Sequence, residues 1–132
     1  MVSLKRLVCA AVAMLAISTL ARAEEGFPFG SEMTLEALPQ PGSKRIPNIE
    51  IGDHGEVLLE LWCKGGKGQF SVAGNTVIFV PGLIQDRNCP PGRAQADDDL
   101  VAALSSVETW KRQGDVLTLI GPKPLRFRTT GN

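Results

Sequence analysis

A second histidine, a C-x-x-C pair, a G-x-S-x-G elbow and a G-x-x-x-x-G-K-[ST] loop are all missing from these 132 residues. Each absence removes a chemistry. His54, the one histidine, stands between Asp53 and Gly55 in turn-forming sequence. Neither general-base catalysis nor metal binding works there without partners. Ser71, Ser105 and Ser106 lack the elbow context that activates a serine nucleophile. Gly65-Gly66-Lys67-Gly68 has the glycines and lysine of a phosphate loop, but not its spacing and no helix after it. It reads as a flexible turn or bulge. An excess of positive charge is also missing, since 14 Lys and Arg balance 14 Asp and Glu. Phosphate backbones are held by clustered cations, so nucleic acid is not an expected partner. With no nucleophile–base or acid–base pair in view, the expectation is a protein without catalytic activity, cofactor or metal.

No apolar run is long enough for a membrane anchor, which needs about 20 residues. Leu7 to Leu20 is apolar except for Ser18 and Thr19, with Lys5 and Arg6 before it and Ala21-Arg22-Ala23 after it. A basic start, an apolar centre and a small-x-small finish are the marks of an export signal, here residues 1–23, cleaved after Ala23. Cys9 lies at the start of the apolar run, where no lipoprotein cleavage site belongs. The expected product is periplasmic or secreted and has no stable membrane insertion. Taking 23 residues from 132 leaves 109, which is one small domain. Lys5, Arg6 and Arg22 leave with the signal and no acid does, so 14 bases against 14 acids become 11 against 14. We place an irregular arm at 24–31, rich in Gly and Pro, and a single domain at 32–132, expected to be monomeric.

Cys63 and Cys89 then remain as an even pair in an oxidising compartment, which predicts a disulfide. A redox-active pair is the rival reading, but the spacing is wrong and no neighbouring His lowers a thiol pKa.

Along the mature chain, short apolar alternations are separated by turn sequence. Met33 to Leu38 predicts a strand stopped by Pro39-Gln40-Pro41-Gly42. Ile46 to Ile51 and Glu56 to Trp62 flank Gly52-Asp53-His54-Gly55 as a hairpin, with Val57, Leu59 and Leu61 on one face. Gln69 to Val72 and Thr76 to Val80 form the next hairpin around Ala73-Gly74-Asn75. Val77-Ile78-Phe79-Val80 is apolar on both faces, predicting a strand covered on both sides and ended by Pro81-Gly82. Residues 94–108 carry the one helical stripe, Leu100, Leu104 and Val107 with Val101 beside it. Asp97, Asp98 and Asp99 project in three directions on a helix and do not converge on a metal. They are expected to cap the helix and favour its positive N-terminus. Thr109 to Arg112 and Val116 to Ile120 bracket Gln113-Gly114-Asp115, and Leu125 and Phe127 alternate with Arg126 and Arg128 in a last strand. The predicted fold is mainly β (α+β). Its antiparallel, barrel-like sheet has seven or eight strands, with one helix in the C-terminal half closing a side.

The order of these features resembles the META/HslJ-like family of small envelope proteins. The resemblance rests on Cys63 with Gly68 and Phe70, then Gly74-Asn75-Thr76-Val77 and Cys89-Pro90-Pro91. It continues through the Leu100 to Val107 helix and Gly114-Asp115-Val116-Leu117-Thr118-Leu119. It covers roughly residues 56–128. Lys64 stands where the family has Asn, Asn88 where it has Ala, and the family's opening W-x-L is represented by Met33-Thr34-Leu35. The resemblance implies a bacterial envelope protein linked to stress tolerance, with no settled catalytic mechanism, and a cracked barrel with an apolar interior.

Function, on this reading, is binding. If Cys63 and Cys89 are joined, Lys64, Lys67, Arg87 and Arg93 either form a basic patch around them or remain scattered surface charges. Trp62 and Trp110 either pack at strand ends or rim a pocket or partner surface. The partner is expected to be an envelope protein or an apolar ligand. The alternative is a lipid-like apolar ligand carried inside the barrel.

Overall fold

The computed structural model describes residues 26–131, so the expected export signal at 1–23 lies outside the described residues. Eight strands follow the alternation read from the chain: β1 Glu32–Leu35, β2 Asn48–Ile51, β3 Glu56–Glu60, β4 Gly65–Ala73, β5 Thr76–Gln85, β6 Thr109–Gln113, β7 Val116–Ile120 and β8 Leu125–Thr129. The helix α1, Pro91–Ser105, lies between β5 and β6. Every strand pair is antiparallel and joins sequence neighbours, and β1 also pairs with β8, so the sheet closes into a ring. Gly74-Asn75 and Gly114-Asp115 make the two tightest hairpins. Each glycine sits at positive φ (58° and 59°), where a side chain would be strained.

Period two decides what enters the ring. Val57 and Leu59 of β3, Phe70 of β4, Val77 and Phe79 of β5 and Phe127 of β8 all point inward and are nearly inaccessible. They join one contiguous apolar cluster with Leu100 and Leu104 of α1. Residues 26–31 of the predicted arm form no strand or helix. Phe27 is buried, its ring 5.2 Å from Phe70 and 5.3 Å from Trp110.

The ring is weakest between β5 and β6, which share a single residue pair, Thr76 with Thr109. Beyond it α1 packs against β5. The helix therefore closes the side, as its apolar stripe predicts.

Several expectations need correction. β5 does not stop at Pro81-Gly82 but runs on to Gln85. Proline has no N–H to donate, so it is tolerated in a strand only where the edge is unpaired, and β5 has no strand partner on its β6 side beyond Thr76. Nor is β5 covered on both faces: Ile78 and Val80 are each 56% exposed. Gly65 to Gly68 is not a loop but the start of β4, with a register shift between Gly66 and Gly68. The bulge half of that expectation stands. α1 begins at Pro91, in the first-turn position that proline favours. The three aspartates therefore fall mid-helix, and none caps it.

Candidate functional site

The disulfide joins the end of β3 to the loop before α1, with Cys63 and Cys89 Sγ atoms 2.08 Å apart and Cα atoms 5.9 Å apart. After β3 the chain reverses in a tight turn, closed by the Leu61 N–H donating to the Lys64 carbonyl at 2.9 Å. That turn aims three consecutive backbone N–H groups at α1, and Asp97 receives all of them. Its Oδ1 accepts from Trp62 at 2.8 Å, and its Oδ2 accepts from Cys63 at 3.0 Å and Lys64 at 2.7 Å. Asp97 is the one fully buried charged side chain among the described residues. A buried carboxylate is costly unless its oxygens are satisfied, and three charge-assisted bonds satisfy them. Sequence reading missed this role. A signal existed: Asp97 lies on the same helical stripe as Leu100 and Leu104, an acid where an apolar residue belongs.

The flanking charges pair locally. Lys64 Nζ lies 3.0 Å from Asp98 Oδ1, a hydrogen bond that raises the lysine pKa above its ordinary value. Arg87 grips Glu60 through two hydrogen bonds of 3.0 and 3.3 Å, and Arg45 approaches the same carboxylate at 3.7 Å. The Arg87 hydrogen bonds hold Glu60 below the usual carboxylate value, against a smaller opposing effect of burial. Arg93 is half-buried in the first turn of α1, with its Nε buried and lacking a hydrogen-bond partner. Only Lys67 of the four cations is exposed and makes no ion pair among the described residues. Of the four, Lys64 and Arg87 are each paired with an acid, Asp98 and Glu60.

Two surfaces flank the staple. The first is the outer face of β3–β5, where Leu58, Ile78 and Val80 are half exposed and Leu83 is 72% exposed. Cross-strand register places Leu58 opposite Lys67, Gln69 opposite Val80 and Ser71 opposite Ile78. A dent of about 440 Å³ lies between Leu58, Lys67 and Leu83, closed at one end by Glu60 and Arg87. The second surface is a cleft of about 350 Å³ between α1, the end of β1 and β8. Leu35, Trp62, Leu100 and Leu125 give it an apolar lining, with Asp99 and Lys123 among its charged groups. The Trp62 indole N–H donates to the Leu38 carbonyl at 2.9 Å, fastening the 36–47 loop beside the cleft.

A family model described as META domain matches residues 30–131. The chain belongs to the META domain family. No curated protein and no solved structure matches it.

In this META domain Trp110 sits apart from the staple. Its N–H donates to the Gly74 carbonyl at 2.9 Å, and its ring meets Phe27 edge-on. His54 is exposed in the β2–β3 turn. The Ser105 and Ser106 hydroxyls donate to the Val101 and Ala102 carbonyls four residues back, as serines in helices commonly do. Among the described residues no cluster of His, Cys, Asp or Glu is arranged to hold a metal. Among the same residues no helix is long and apolar enough to cross a membrane.

Proposed function

We propose that this META-domain protein acts without catalysis in the bacterial envelope, periplasmic or secreted. There it supports envelope integrity or stress tolerance by holding a partner protein on the outer face of β3–β5. One observation carries the reading: four large aliphatic side chains face solvent on that surface while the interior is filled by the core. A solvent-facing aliphatic surface of this kind is typical of interaction sites. The disulfide and the Asp97 bonds support it by fastening α1 to the turn beside this face, which pre-organises the surface and lowers the ordering cost of association. The disulfide also suits an oxidising compartment.

A second reading has its own support. The ring interior holds the apolar core cluster, and the Trp62 cleft beside it has an apolar lining and a volume of about 350 Å³, at the small end of ligand sites. A lipid-like molecule would sit there, outside the ring.

The test is photo-cross-linking in living cells, with the reactive residue placed at Val80 or Leu83 and, as controls, at Lys111 or Ser105. We expect one discrete adduct from the first pair alone, and loss of stress tolerance in a folded Val80→Glu protein. Equal labelling at all four positions, with full tolerance in Val80→Glu, would overturn the partner reading. A lipid co-purifying in native mass spectrometry, and lost on Leu100→Trp, would favour the cleft.

A further inference from the structure

The dent between Leu58 and Leu83 has a feature that narrows what can cover it. Lys67 lies at its centre, directly across from Leu58 in the β3–β4 register, and Gly82 beside Leu83 packs on the Lys67 backbone. A partner that buries both leucines also meets the exposed Lys67 side chain, which lines the same dent. Covering an ammonium without a counter-charge strips its water and returns nothing.

Among the described residues no acid is paired with Lys67. Glu60 is engaged by Arg87 and Arg45. Glu56 shares the outer face of β3 but turns back over the β2–β3 turn. Its carboxylate occupies the space where a side chain on Gly52 would stand. Gly66 lets β5 pass close to β4 at the edge of the dent: a Cβ there would strike the Leu83 carbonyl and the Ile84 side chain.

We propose that this socket receives an acidic–aliphatic segment of the partner polypeptide, with aliphatic side chains against Leu58 and Leu83 and a carboxylate on Lys67. The proposal rests on the partner reading above and specifies the partner's chemistry. Lys67 gives orientation and selectivity, and the leucines give the contact area.

The experiment is amide-shift mapping of the full mature protein. The probes are two blocked peptides, acetyl-Leu-Leu-Glu-Leu-amide and its Leu-Leu-Lys-Leu counterpart. We expect the acidic peptide to shift the amides of residues 58, 67 and 83. The lysine peptide should bind roughly fivefold more weakly or worse, and Lys67→Glu should invert that order. Lys67 is exposed, so the variant is expected to fold, and its unshifted core amides will show it. Equal binding of both peptides on this face overturns the acidic requirement and leaves the partner surface intact. Shifts confined to the Trp62 cleft, or none with either peptide, overturn both. Concentration-dependent shifts at the same amides without peptide would put a second copy there and overturn the acidic-segment proposal.

Discussion

Asp97 is a fully buried carboxylate facing three backbone N–H groups from one turn. Replacing it with alanine removes the acceptor for all three donors at once. Each hydrogen bond to a charged group contributes about 1.5–3 kcal/mol, and the contributions within one cluster are not additive. We expect Asp97→Ala to lower the unfolding free energy by about 3–5 kcal/mol, read as a fall in the urea midpoint. Asn at this site keeps the shape but turns an N–H₂ toward N–H donors, so it should recover less than half of the loss. Lys64 next door is a weaker contributor because its charge partner, Asp98, is largely exposed.

Glu60 gives a pH signature at the same scale. Its folded pKa is depressed by Arg87, so its contribution is present above the ordinary carboxylate value of 4.5 and is lost as pH falls through the folded value. The wild-type advantage over Glu60→Gln should therefore be fully present above about pH 5 and fall away as acidification protonates the carboxylate. Both groups are well exposed, so the effect is small and should shrink further in about 1 M salt. An advantage that persists at low pH would contradict the ion pair as its source.

At the scale of elements, the staple and Asp97 do the same job by different means, tying the turn after β3 to α1. Cys63 and Cys89 are 26 residues apart. On the chain-entropy model, closing such a loop stabilises the fold by about 3–4 kcal/mol. Cys63→Ser with Cys89→Ser should lose roughly that amount in urea unfolding and keep the far-ultraviolet spectrum, because ring closure through β1 and β8 does not depend on the sulfurs. Loss of strand signal in the double mutant would show the staple to be needed for the ring itself. The hairpins were legible in the sequence because their turns need local chemistry: Gly74-Asn75 and Gly114-Asp115 supply positive φ at the turn. The extent of β5 was not legible. Pro81 normally ends a strand, and only the absence of a neighbour on its β6 side lets β5 continue. The helix start was misplaced for a related reason. Three acids look like an N-terminal cap until the chain places Asp97 under the 62–64 turn.

For the whole molecule, the division between filled interior and aliphatic outer face has a stability consequence. Val80 is more than half exposed on the outer face. Val80→Lys should change the unfolding free energy by no more than about 0.5 kcal/mol, whereas Phe79→Ala, one residue away and inward, should cost about 3–5 kcal/mol. Comparable losses for the two would mean that the outer face is covered by something in solution, which the concentration dependence of the midpoint would reveal.

The features written along the chain are local or compositional: period-two strands, glycine turns, one helical stripe, an even cysteine pair and the family pattern. These depend on residues within a few positions of one another, or on counts, so a linear reading reaches them. Tertiary structure alone decided which apolar face of β5 is buried, since Ile78 and Phe79 are equally suited to a core. The ring has one interior, and only Phe79 points into it. It also decided that Asp97 is a buried acceptor and that Lys67, between two leucines, has no ion pair among the described residues. Both depend on contacts between distant strands, turns and the helix, and no local spacing encodes where a ring will bring them together.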